Sequence, residues 1–104
     1  MSKPRYSWWG YIKAVIRRYP SLMDAEVSGV AKREKEAVRA AVEATEQLDN
    51  GADRLMVVDL VFWSRTHTLE GAAMQVPCSY EAAKRYQQRF IKQVAMNMNL
   101  LDQT

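Results

Sequence analysis

Apolar positions recur at three-to-four-residue spacing along most of this chain, which predicts helices in preference to strands. The first run sets Trp8, Trp9, Ile12, Val15, Ile16 and Tyr19 on one side, with Lys13 and Arg17 one turn apart opposite them. Ser7 is placed to cap this helix and Pro20 to end it, giving about 7–19. Ser21 with Asp24 forms a capping-box-like start for a second helix reaching about Leu48, with Ser28-Gly29 as a point of bending or restart. From Val30 onward this segment is rich in strong helix formers, and Lys32–Glu36 and Arg39–Glu43 are spaced to support one another. Its apolar side (Val38, Ala41, Val42, Leu48) is narrow. It suits close packing either inside the domain or against a second copy, a homodimer through about 30–48.

Asp49-Asn50-Gly51 stops the second helix, with Asn50 or Gly51 suited to a left-handed cap. Leu55 to Trp63 reads equally as strand or buried helix, but no partner strand exists elsewhere, so a central helix over about 52–64 is expected. Within it, Asp59 is expected to be a satisfied surface carboxylate. Thr68 caps a short helix to about Val76, Pro77-Cys78 breaks it, and Ser79 caps a final helix from Tyr80 to about Asn97. The expected fold is all-α: one domain over 1–104, a five-helix bundle ending in a helix-turn-helix at about 68–97.

Composition narrows the function classes. At 104 residues the chain accommodates one small domain. One cysteine and one histidine exclude a Cys/His structural zinc site, and the lone Cys78 excludes an internal disulfide, which suits a reducing cytosol. No run approaches the roughly 18 apolar residues of a membrane helix, and no signal-peptide pattern opens the chain. Cytoplasmic location is the expectation. The net charge of +3 is unevenly spread. Lys3, Arg5, Lys13, Arg17 and Arg18 precede Pro20 with no acid among them, eight of the twelve acids fall within 21–53, and basic character returns at Lys84, Arg85, Arg89 and Lys92. Two basic patches flanking an acidic middle point toward a polyanion, although charged helix faces are commonly just solvated surface.

The region from Thr68 to Gln88 carries the most information. A two-turn helix, a tight turn and a capped second helix form the layout of a helix-turn-helix. Ala72 and Ala73 supply the small residues its crossing needs, while Val76, Cys78, Ala83, Tyr86 and Phe90 are expected to point inward. Ser79, Tyr80, Glu81, Lys84, Arg85, Gln88 and Lys92 then face outward. Lys and Arg contact phosphates or guanine edges, Gln pairs with adenine, Glu81 accepts from cytosine or orients a neighbouring cation, and Ser79 at the helix start reaches a phosphate. Arg89 and Lys92 are assigned to phosphates, and Lys3, Arg5, Lys13 and Arg17 to further DNA-backbone contacts. The competing reading is a plain helical hairpin with a solvated basic side.

The stretch Thr68-Leu69-Glu70-Gly71-Ala72-Ala73-Met74-Gln75-Val76-Pro77-Cys78-Ser79-Tyr80-Glu81-Ala82-Ala83-Lys84-Arg85 resembles the DNA-binding region four of bacterial sigma factors. The Thr-Leu-Glu opening, the Ser that starts the recognition helix and the Glu two residues later align without a gap. Pro77 departs from that pattern, which usually has glycine there, and proline's ring disfavours positive φ. Most of the chain is also similar to small phage-encoded regulators of Gram-positive bacteria, the RinA/ArpU-type late transcription regulators. The matching stretches are Pro4-Arg5-Tyr6-Ser7-Trp8-Trp9-Gly10-Tyr11, Leu60-Val61-Phe62-Trp63, His67-Thr68-Leu69-Glu70-Gly71-Ala72-Ala73, and Ser79-Tyr80 with Ala83. Residues 21–35 are variable by comparison. The resemblance implies a regulator of transcription in a bacterial host cell, with the recognition helix at about 79–97 in the major groove of double-stranded DNA.

Other candidate sites carry less. Cys78 beside a helix start reads as a small turn residue, and His67 as a loop or phosphate-side residue. Met96 and Met98 flank asparagines at a helix end, where core packing, disorder or a partner contact are all open. No phosphate loop, nucleophile elbow or paired-carboxylate motif is present, so neither an enzyme nor a cofactor is expected. Two alternatives to direct regulation stay open: a module docking on RNA polymerase or a sigma factor, and a ring-forming small terminase subunit.

Overall fold

Pro20 lies inside the first helix, not at its end. In the computed structural model, which describes residues 7–100, α1 runs Trp9–Met23. Its N-cap is Trp8 without a side-chain cap, so Ser7 does not serve as one. Proline removes the N–H that would bond the carbonyl four residues back. Here that carbonyl, on Ile16, accepts instead from the Trp63 indole Nε1–H at 2.8 Å. The tertiary bond replaces the lost helical one, and α1 continues for another turn.

The expected second-helix start is displaced for the same reason. Ser21 lies within α1, and its Oγ donates to the Arg18 carbonyl at 2.7 Å instead of capping. Residues 24–28 are not helical, and the chain restarts at Ser28-Gly29, where Gly29 takes φ 64° and α2 spans Gly29–Glu46. Asn50 adopts the left-handed conformation (φ 60°, ψ 31°) that ends this segment. Gly51 answers a different demand: a Cβ there would stand 2.6 Å from the Thr45 carbonyl oxygen.

The central segment is helical but not uniformly so. α3 covers Gly51–Val58 and widens into a π turn over Asp59–Trp63, closed by the Ser64 N–H donating to the Asp59 carbonyl at 2.7 Å. α4 (Leu69–Gln75) and α5 (Tyr80–Asn97) begin where their caps predict. Thr68 Oγ1 accepts from the Gly71 N–H at 3.1 Å and Ser79 Oγ from the Ala82 N–H at 3.0 Å. Five helices and no strand are found among the described residues, an all-α fold. None of these helices is long and apolar enough to cross a membrane.

α5 joins two apolar clusters. Its second half (Phe90, Ile91, Val94, Ala95) and its C-cap Met98 enter the larger one with Ile12, Val15 and Ile16 of α1, Ala37, Val38 and Ala41 of α2, and Val58 and Phe62. Burying each large side chain here contributes about 1.5–3 kcal/mol. The first half of α5 closes a smaller cluster through Ala83, with Val57, Ala72, Ala73 and Val76 and the flanking Leu60, Leu69, Cys78 and Tyr86. Phe90 points inward as expected but belongs to the larger cluster. The apolar side of α2 is taken up within the fold, one of the two uses its composition allowed. Met98 is buried, and Asn97 Nδ2 donates to the Ala37 carbonyl at 2.9 Å, so the end of α5 is tied to α2.

Candidate nucleic-acid interface

α4 and α5 are held together by the turn between them and by alanines. The turn follows a Schellman pattern: Val76 is the C-cap, Pro77 takes φ 23°, and the Cys78 N–H bonds the Ala73 carbonyl at 3.0 Å. Pro77, flagged by its ring as unsuited to positive φ, is nonetheless driven there. Ala72, Ala73, Ala82 and Ala83 are all buried, which lets the two backbones approach.

This arrangement leaves one side of α5 in solvent. Ser79, Tyr80, Glu81, Arg85 and Arg89 are exposed, whereas Lys84, Gln88 and Lys92 are half-buried. The last three form a row at four-residue spacing on the flank. α5 carries four cations against the single carboxylate of Glu81. Among the described residues none of Lys84, Arg85, Arg89 and Lys92 forms an ion pair, not even Arg85 with Glu81 one turn before it.

α2 shows what a neutralised helix looks like in the same protein. It holds four cations and four carboxylates. Arg39 bridges Glu36 and Glu43, each at 2.9 Å, and the hydrogen bond from Arg39 holds the Glu36 carboxyl below its ordinary range. Glu36 is thus joined to Arg39 and not to Lys32. Glu34, buried, receives the Tyr11 hydroxyl and the Arg18 guanidinium, the latter at 3.2 Å.

The N-terminus of α5 adds to the positive face. Ser79 Oγ accepts from Ala82, which leaves its own proton free to donate outward. The first N–H groups of the helix have no intrahelical acceptor and bring the positive end of the helix dipole. Sequence reasoning missed Arg54. Its guanidinium lies 4.8 Å from the centroid of the Tyr86 ring, and its Nε donates to the Asp49 carbonyl at 2.9 Å. A cation–π contact of this kind across α3 and α5 has no signature in local spacing.

The remaining predicted contacts are not gathered at this face. Lys13 and Arg17 belong to α1, which packs on the second half of α5. The Arg17 guanidinium lies 5.7 Å from the Phe62 centroid. Lys3 and Arg5 lie outside the described residues. His67 Nδ1 is 2.8 Å from Thr66 Oγ1, and Cys78 is half-buried against the smaller cluster. No group of three or more His, Cys, Asp or Glu side chains among the described residues is arranged to hold a metal ion.

Searches against protein-family models, curated proteins and solved structures found no match to this chain.

Proposed function

We propose that the chain is a sequence-specific regulator of transcription that places α5 in the major groove of double-stranded DNA, with α4 and the turn as the first half of a helix-turn-helix. The observation that carries this reading is the unpaired basic side of α5, set at a Ser-capped helix start. Tyr80, Lys84, Arg85 and Gln88 face base edges. Ser79, Arg89, Lys92 and Arg54 contact phosphates, and Glu81 orients a neighbouring cation or accepts from cytosine. The likeness to sigma region four and to RinA/ArpU-type regulators favours the same assignment.

The test begins by selecting bound fragments from bacterial and phage genomic DNA and titrating a selected duplex by fluorescence anisotropy across a salt series. Arg85→Ala is expected to weaken binding by about 1–3 kcal/mol and to relax sequence preference. Arg54→Ala and Lys92→Ala are expected to weaken all duplexes alike, each lowering the slope of log affinity against log salt by about 0.9. Unchanged affinity for Arg85→Ala and Lys84→Ala would sink the assignment. Nuclease-resistant capture of RNA polymerase without any DNA binding would transfer the basic face to a protein partner.

A further inference from the structure

A cleft of about 350 Å³ opens between the last turn of α1 and the π turn, lined by Tyr19, Pro20, Met23, Asp59, Trp63 and Ser64. Its aromatic wall is fixed in place. The Trp63 indole is bonded to the Ile16 carbonyl, stands edge-on to Phe90 at 6.2 Å, and meets the Tyr19 ring at 5.7 Å with a 37° tilt. The π turn supplies the polar end. Its wider i→i+5 spacing brings Ser64 back over Asp59, where Ser64 Oγ donates to Asp59 Oδ1 at 3.1 Å.

That bond leaves the half-buried Asp59 carboxylate with its charge uncompensated. Among the described residues no cation pairs with it. The basic residues of the same stretch of α1 are engaged elsewhere, Arg17 over Phe62 and Arg18 on Glu34. An anion would meet the carboxylate, whereas a neutral apolar group would leave its charge without a counter-charge. A cation on an alkyl stem fits both halves: its charge meets Asp59, and its carbons meet the aromatic wall, Pro20 and Met23.

We propose that this cleft binds an alkylammonium group the size of a lysine side chain. The inference is independent of the α5 face and of DNA. The head group belongs either to a free alkylamine or to a lysine of a peptide, and the test has an arm for each. The probes are n-butylammonium chloride and a blocked Gly-Lys-Gly tripeptide, titrated at constant ionic strength. The readout is the indole N–H resonance of Trp63, assigned by comparison with Trp8→Phe and Trp9→Phe. Neutral n-butanol is the control for apolar occupancy alone.

The expected result is a saturable shift of the Trp63 resonance with n-butylammonium and none with n-butanol. Tighter saturation by the tripeptide identifies lysine as the source, and equal or weaker saturation identifies a free amine. Asp59→Asn is expected to weaken binding about fivefold, the scale of a solvent-exposed ion pair. Tyr19→Leu removes one ring and keeps the carboxylate. It is expected to weaken binding by a similar factor, and it reads the site even if the Asp59 variant folds poorly. Absence of saturation in both arms, equal response to n-butanol, or full affinity in both variants would overturn the proposal.

Discussion

Replacing Pro77 by glycine is expected to stabilise the protein, although proline ordinarily stiffens a chain to advantage. The residue after the α4 C-cap must take a positive φ for the chain to turn into α5, and Pro77 sits at 23°, far from the about −65° its ring prefers. The same motif at the end of α5 shows what is missing. There Asn99 takes φ 61°, the Leu100 N–H bonds the Ala95 carbonyl at 2.9 Å, and the Asn99 N–H bonds the Met96 carbonyl at 3.0 Å. At the end of α4 the first bond exists, from Cys78 to Ala73. The second, from residue 77 to Met74, cannot form because proline has no N–H. Glycine relieves backbone strain of about 1–3 kcal/mol and adds a hydrogen bond of about 0.5–1.5 kcal/mol. Against this stands greater freedom of the unfolded chain, about 1–2 kcal/mol for this exchange. The net gain is about 1–2 kcal/mol, or roughly 5–15 °C in Tm for a domain of this size. Thermal and urea unfolding followed by circular dichroism measure it. Pro77→Ala regains the N–H but keeps a side chain at positive φ, so its stability should fall between the other two. A glycine variant no more stable than the parent, or an alanine variant above it, would refute the reasoning.

Trp63→Phe is expected to cost about 1–2 kcal/mol beyond the lost ring area because it orphans the Ile16 carbonyl. In a Pro20→Ala background the restored helical N–H takes that carbonyl, so a double-mutant cycle by urea denaturation should show positive coupling, and strict additivity would count against the exchange. Gly51→Ala is expected to lower stability by about 1–3 kcal/mol through overlap with the Thr45 carbonyl. Gly10→Ala, with open space around it at an exposed position of α1, should raise stability by up to about 1 kcal/mol. Two thermal melts of opposite sign check the pair. Burial, then the bond to the Glu34 carboxylate, raises the Tyr11 pKa above its ordinary value of 10.0. The corresponding stability is full below pH 10 and lost as pH climbs through the raised value. Urea midpoints from pH 9 upward should therefore fall less steeply in Tyr11→Phe, and an identical slope would exclude this linkage.

The elements legible in the sequence are those fixed by local chemistry. Thr68 and Ser79 bond N–H groups three residues away, so α4 and α5 begin where their hydroxyls predict. Likewise Asn50 supplied its left-handed turn from its own side-chain tolerance. What was misread depends on contacts far along the chain. Pro20 ends a helix only when nothing else satisfies the freed carbonyl, and the Trp63 donor lies 47 residues away. The π turn has no local marker either, since it places Trp63 and Ser64 where α1 and Asp59 need them. The outward side of α5 was legible from its period, but Arg54 was not, because its link to Tyr86 crosses from α3 to α5.

The distribution of ion pairs bears on what the cations of α5 are for. A helix that needs only solubility gains from opposite charges one turn apart, each pair adding a few tenths of a kcal/mol. α2 is built that way, with Arg39 bridging two carboxylates and no net charge on the helix. α5 has the same length and the same number of cations but a single acid. That acid lies in the first turn, where it complements the helix dipole. Arg89 follows Arg85 at i+4 and Lys92 follows Arg89 at i+3, like-charge spacings that destabilise a helix. Stability is therefore a poor explanation for this row, and cluster packing is none, because the buried positions of α5 are all alanine or apolar residues. An arrangement unfavourable to the isolated helix becomes favourable once an anionic partner releases its counterions on binding. Adding an acid to α5, as in Gln93→Glu at the half-buried position four residues after Arg89, should accordingly raise the melting temperature slightly and, under the proposed function, weaken binding to duplex DNA.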